Sequence, residues 1–157
     1  MSIEAVRRFF AERGMEGRVM EFPVSSATVE LAAKALGVIP ARIAKTLSFR
    51  DRCGGGFLVV AAGDAKIDNA KFKAAFGIKA MMLPADEVPS LVGHAVGGVC
   101  PFALREGVAV TLDVSMRRFR TVFPACGSGS SAIELTPEEL FEHSGAKSWV
   151  DVCKDWQ

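Results

Sequence analysis

Lys45 stands where a strand would bury it. In "RIAKTLSF", Arg42 to Phe49, side chains alternate across an extended backbone, so Ile43, Lys45, Leu47 and Phe49 share one face. Ala44, Thr46 and Ser48 take the other face, where an ammonium would be harmless. A lysine on the apolar face has two readings. It can snorkel to water past its neighbours at the edge of a sheet. Alternatively it points into a concave site, where desolvation lowers its pKa unless a bound anion favours the charged form. There it would hold a phosphate or carboxylate as a point charge, or act as base or nucleophile. The strand alone leaves both readings open.

Two glycine-bearing segments could supply backbone donors. "GGVCPF", Gly97 to Phe102, is either an ordinary turn or a backbone bared of side chains whose N–H groups reach a ligand oxygen. "CGSGSS", Cys126 to Ser131, is either a flexible hairpin tip or an anion- or hydroxyl-binding loop. It is not a P-loop, because no GK[ST] follows. His94 and His143 lie beside glycine-containing helix ends, where solvated histidines are common. No Ser-His-Asp set and no carboxylate pair stands out. The four cysteines, Cys53, Cys100, Cys126 and Cys153, form no CxxC pair and read as free thiols in a reducing compartment. With the two histidines they show no zinc-ligand spacing, so neither a metal nor a cofactor is expected. An enzyme built from this inventory works with a lysine, backbone donors and the substrate's own functional groups.

The elements that must position these residues follow from periodicity and punctuation. Ile3, Val6, Phe9 and Phe10 recur at helical spacing, with Gly14 as a stop. "RVMEF" predicts a short strand, and "SSATVELAAKALG" a helix capped by Ser or Thr and ended by Gly37. Strands are predicted around Arg42–Arg50 and Phe57–Ala62, joined by the glycines of "DRCGGGF". "DNAKFKAAFG" predicts a helix from Asp68 to Gly77, "KAMML" a strand and "PADEVPSLVG" a short helix. "HAVGGVCPFAL" is too broken for a regular element. "GVAVTLD" predicts a strand, "VSMRRF" one helical turn, and "TVFPACGSGSSAIEL" a strand, a Gly/Ser turn and a strand. In "TPEELFEHSG", Thr136 caps a helix, Pro137 takes its first position, Glu139 closes a capping box and Gly145 ends it. "KSWVDVC" holds a last short strand. Six or seven strands mixed irregularly with helices imply a single α+β domain over residues 1–157, with a mixed, curved, barrel-like sheet.

Composition narrows the function classes. At 157 residues with half of them apolar, the chain can bury a real core, and disorder is excluded. A formal charge of +1 gives no global field, so any nucleic-acid contact is local, and DNA binding is not expected. The longest apolar run, "FLVVAA", is too short to span a bilayer. "MSIEAVRRFFAERG" carries Glu4 and Glu12 and is unlike a signal or transit peptide. A cytoplasmic protein without membrane contact is expected.

In their order, "RIAKTLSF", "KIDNAK", "GGVCPF" and "GSGSSAIELTPEEL" resemble the YbaK/EbsC family, the free-standing relatives of the editing domain inserted in bacterial prolyl-tRNA synthetases. The resemblance covers nearly the whole chain. It implies a trans-editing hydrolase that deacylates mischarged aminoacyl-tRNA, chiefly tRNA for proline carrying cysteine or alanine, with prolyl-tRNA synthetase as a transient partner. It places the family's essential lysine on Lys45. The glycine whose N–H contacts the scissile carbonyl falls on Gly98, where a Cβ would fill the oxygen's space. Thr46, Val99, Gly127 and Ser128 would line the substrate site, and Phe22 would stack on the single-stranded tRNA end. "MRRFR", Met116 to Arg120, is either a solvated turn or a contact to acceptor-stem phosphates. Cysteine-specific members carry polar residues where this chain has Ala125 and Ala132, which implies selection by size and a preference for alanine. Two other classes stay open: a non-catalytic module binding a tRNA end or nucleotide, and a hydrolase of some other small acyl ester. The joint presence of Lys45 and Gly98 disfavours the first.

Overall fold

The computed structural model describes residues 2–156. Two antiparallel strands form its spine, β2 (Ile43–Arg50) and β3 (Gly56–Ala62), in register from Ala44 opposite Ala62 to Arg50 opposite Gly56. Every residue of β3 is buried, as its unbroken apolar run dictates for a strand covered on both faces. β5 (Ala109–Asp113) lies parallel to β3, and β8 (Trp149–Val150) lies parallel to β5. On the far side of β2, β6 (Phe123–Pro124) pairs in parallel, giving a five-stranded mixed sheet in the order β6-β2-β3-β5-β8. Two small antiparallel pairs complete the strands: β1 (Val19–Glu21) with β7 (Ser131–Ile133), and β4 (Lys66–Ile67) with β9 (Cys153–Lys154).

Helices seal the sheet where their apolar stripes fall. α1 (Ser2–Ala11) buries Val6 and Phe10 completely. α2 (Val29–Leu36) starts on the Thr28 hydroxyl and ends at Gly37, whose φ of 71° a residue with a side chain would adopt only with strain. α3 (Asn69–Phe76) is capped by Asp68, and packs Phe72 against Phe49 and Phe57, and Phe76 against Phe57, with ring centroids 4.8–6.0 Å apart. Each such ring buried contributes about 1.5–3 kcal/mol, so this end of β2 is firmly held. α4 (Val88–Val92) and α5 (Pro137–Ser144) complete the set, the latter with Thr136 and Glu139 bonded reciprocally in a capping box.

Three expectations need correction. "KAMML" forms no strand: Met82 makes one isolated bridge to Phe49, and Pro84 ends the run two residues on. "TVFPACGSGSSAIEL" is not a simple hairpin. Val122 and Leu135 bridge its base, but β6 then joins β2 while β7 joins β1, so the glycine loop lies between two sheets. The described residues also hold nine strands rather than six or seven, because the two-residue pair β4–β9 has no readable alternation.

The α5 N-terminus makes a direct stability test. The Arg18 guanidinium and the cap pull the Glu139 carboxyl down to about 2. Its folded pKa is therefore below its unfolded value, so its contribution is complete above about pH 4.5 and is lost as pH falls towards 2. Thr136→Ala should lower unfolding free energy by about 1 kcal/mol in urea titrations at pH 7. Glu139→Gln should lose stability at pH 7 and differ less from the parent at pH 3.

Candidate active site

The pairing of β6 with β2 stops at Ala44. The next backbone contacts on that edge are Leu83 N–H to the Ser48 oxygen at 3.0 Å and Arg50 N–H to the Met81 oxygen at 2.8 Å. Between them, Lys45 to Leu47 has no neighbouring strand. Backbone polar groups alternate edges along a strand, so the N–H and C=O of Thr46 face this gap as those of Ser48 and Arg50 face Met81–Leu83. A cavity of about 400 Å³ fills it, within the usual size range of small-molecule sites. Its walls are Ser26–Val29 ahead of and entering α2, Met82–Leu83, the Val96–Val99 loop, and Ala125 with Ala132. Met82 and Val96, both about 60% exposed, form an apolar rim.

Lys45 is half-buried in the cavity wall. Its ammonium donates to the Ala65 carbonyl and, at 3.4 Å, to the Gly63 carbonyl. An ammonium has three donors, so one is left for a ligand. Desolvation lowers its pKa, opposed by the nearby carboxylates Asp64 and Glu30. The Cys153 thiol also lies close, but burial pushes it up to about 12 and it carries no charge at neutral pH. The Lys45 ammonium is thus held by neutral carbonyls, neither snorkelling freely nor fully desolvated.

The glycine segments meet each other. A Cβ on Gly98 would lie 2.8 Å from the backbone of Gly127 and Ser128, closer than real contacts allow. Gly98 N–H donates to the Ala95 oxygen at 3.0 Å, closing a turn. The missing side chain therefore makes room for the facing loop, and not for a substrate oxygen. The free donors are its neighbours: among the described residues the N–H groups of Gly97 and Val99, both lining the cavity, have no protein acceptor. The "CGSGSS" loop is likewise neither a flexible tip nor an open anion site. Ser128 donates to Ser131 at 2.8 Å, the Gly129 and Ser130 carbonyls accept from Ser26 and Phe22, and Gly127 (φ 92°) abuts the Ser2 carbonyl.

Of the residues singled out in the sequence, Lys45, Thr46 and Val99 come together at the cavity, while Phe22, Gly98, Gly127 and Ser128 are not among the residues that line it. The Thr46 and Ser26 hydroxyls are buried without a partner in that wall. Ser26, like the Gly63–Ala65 turn that holds Lys45, gave no distinctive signal, since short polar runs between elements are ordinary loops. His94 is not solvated as expected. Gly93, at φ 105°, ends α4 and turns the chain inward, leaving His94 1% exposed with Nε2 donating to the Phe102 oxygen at 2.6 Å. Burial lowers its pKa, so it is neutral. Burial likewise pushes the Cys100 thiol up to about 12 and raises that of Cys126, which removes both as nucleophiles at neutral pH.

Arg118, at the centre of "MRRFR", lies at the surface, as a solvated turn would have it, but most of its donors are taken by protein acceptors. It donates to Ser115, to both oxygens of Asp64 and to the Trp156 carbonyl. Arg117 lies over Trp149, 5.1 Å from the ring centroid.

The burial pattern predicts thiol reactivity. Cys53 is exposed and the other three cysteines are buried. Native protein should titrate one thiol rapidly with a disulfide reagent, and four after denaturation. Rapid native labelling of Cys100 or Cys126 would show that the loops over them open.

Comparison with known proteins adds an independent line. Residues 24–142 match the family model described as the aminoacyl-tRNA editing domain. The chain is 57% identical, over the full length of both, to the uncharacterized protein YwhH of Bacillus subtilis. It is 26% identical over 72% of its length to EbsC of Enterococcus faecalis, which spans 70% of that protein; EbsC is named as a candidate Cys-tRNA(Pro)/Cys-tRNA(Cys) deacylase. The crystal structure of a candidate trans-editing enzyme for prolyl-tRNA synthetase superposes with a TM-score of 0.86 at 28% identity, covering 98% of this chain and 97% of that one.

Proposed function

This chain belongs to the aminoacyl-tRNA editing domain family, and from that premise we propose that it hydrolyses mischarged aminoacyl-tRNA in trans. The observation that carries the reading is the gap in β2: a cavity sized for an aminoacyl group, with a half-buried lysine in its wall. The deacylase named among its relatives and the trans-editing neighbour support the same class of reaction. The tRNA for proline is the substrate proposed, and any contact with prolyl-tRNA synthetase is transient.

The mechanism follows from what the site contains. Lys45 directs its third donor to the terminal nucleotide and fixes the ester in place, and positioning of this kind is a large share of catalysis. Water, oriented by the substrate's own ribose hydroxyl, adds to the ester carbonyl carbon. The N–H groups of Gly97 and Val99, rather than that of Gly98, take the developing oxyanion; one such donor contributes about 10²–10³ in rate. The carbon–oxygen bond to the ribose then breaks, and the water's proton goes to the leaving hydroxyl. No side-chain nucleophile is required.

Alanine is the preferred acyl group. Ala125 and Ala132 both line the cavity and present methyl groups to it. A wall of methyls selects by size, and a synthetase pocket for proline cannot strongly reject a smaller side chain, since each methylene is worth only about 1–3 kcal/mol. A second site that admits alanine and excludes the proline ring restores fidelity.

The test is deacylation of tRNA for proline charged in turn with alanine, cysteine, serine and proline. Alanine should be released at least as fast as cysteine, and proline spared. Lys45→Ala should lower the rate by about 10²-fold or more with an unchanged circular dichroism spectrum. A folded Lys45→Ala variant with the parent's rate would refute the mechanism, and cysteine released far faster than alanine would refute the specificity.

A further inference from the structure

We propose that Arg118 and Asp64 are positioning residues for Lys45, acting through the Gly63–Asp64–Ala65 turn whose two carbonyls aim the ammonium. The inference rests on Lys45 being the group that fixes the substrate, but its geometric content stands apart from that reading. The turn is pinned from both sides. On one, a Cβ on Gly63 would lie 2.1 Å from the Pro40 carbonyl, so the backbone is pressed against the segment that leads into β2. On the other, the Asp64 carboxylate is gripped by both terminal nitrogens of Arg118, at 3.0 and 2.6 Å.

Arg118 is itself immobilised. Its Nε donates to the Ser115 oxygen at 2.8 Å, and Nη1 also donates to the Trp156 carbonyl, so four of its five N–H donors are engaged. The guanidinium also lies 4.8 Å from the Phe119 ring centroid and 4.9 Å from that of Trp156. A bidentate arginine–carboxylate pair held in this way fixes direction as well as distance, which a lysine in its place would not. The Ala65 residue is fully buried and its N–H returns to the Ala62 oxygen at 3.0 Å, so its carbonyl has little freedom. A long chain is thus prevented from scattering its ammonium among rotamers, at a site where misplacement of about 1 Å can reduce the rate by about 10²-fold.

The charges around the ammonium set how its titration reads out this arrangement. Asp64 from the turn and Glu30 from α2 favour the charged form, Lys66 from β4 opposes it, and the Cys153 thiol from β9 is neutral below about pH 12. Removing the Asp64 carboxylate therefore lowers the pH at which Lys45 loses its proton.

The experiment combines a double-mutant cycle with a direct observation of the lysine. Rates on alanyl-tRNA are measured for Arg118→Ala and Arg118→Lys, each alone and with Lys45→Ala. The Lys45 side-chain signal is followed by ¹⁵N or ¹³C lysine NMR in the parent, Arg118→Ala and Asp64→Asn proteins, assigned with Lys45→Gln. Arg118→Ala should lower the rate about tenfold in the parent and have no further effect where Lys45 is already alanine. Arg118→Lys should recover part of the loss. The Lys45 signal should shift in Arg118→Ala, and its titration midpoint should fall in Asp64→Asn. Losses that multiply in the double variant, or a Lys45 signal and midpoint unchanged in both proteins, would overturn the proposal. Asp64→Asn keeps the size of the side chain and serves if Arg118→Ala fails to fold. If Lys45→Ala itself proves inert or leaves no measurable rate, the shift of the Lys45 signal in Arg118→Ala, which keeps the Asp64 charge, decides the positioning claim: an unmoved signal overturns it.

Discussion

A strand edge left uncovered for three residues is the constraint on which the site depends. Buried backbone N–H and C=O groups are almost always paired, and an unpaired one costs about 1–3 kcal/mol. β2 meets this rule fully along β3, and at both ends of its other edge, through β6 and through Met81–Leu83. At Thr46 it does not. The surrounding loops are arranged so that the gap is not closed by protein: the Val96–Val99 loop is braced from behind by Gly127 and Ser128, and Ser26 is tied to the Gly129 carbonyl. A ligand with its own donors and acceptors is the natural complement of such an edge.

The lysine in this wall is subject to opposing effects, of which desolvation is the larger. Partial burial opposes its charge, whereas hydrogen bonds to a charged group contribute about 1.5–3 kcal/mol each, and two carbonyls supply them. The two carbonyls thus hold an ammonium that is less solvated than that of a surface lysine. An anionic group entering the cavity then meets a cation whose water shell is already partly removed, which strengthens their attraction.

Much of the fold was legible in the sequence because it was written in local rules. The cap residues Thr28, Asp68 and Thr136, the terminators Gly37, Gly77 and Gly145, and the apolar run of β3 each act within a few residues of chain. Lys45 was legible for the same reason, as a break in a period of two. What was not legible depends on distant partners. Nothing local says that β6 and β7 separate into different sheets, or that Gly98 must clear Gly127, far along the chain. The sequence likewise shows three arginines near Phe119 but not that Arg118 reaches back to Asp64. His94 went the same way: its burial is decided by the inward turn after Gly93 and by the Phe102 carbonyl.

The most direct measurement of the central claim is amide NMR of the folded protein titrated with a hydrolysis-resistant mimic of the charged tRNA end, an adenosine carrying alanine through an amide at its 3′ position. If the open edge of β2 receives the acyl group, the N–H signals of Thr46, Gly97 and Val99 should shift together and saturably, while those of Gly98 and Ser128, outside the cavity lining, move less. Shifts confined to other surfaces, with Thr46 and Val99 unmoved at saturation, would contradict it.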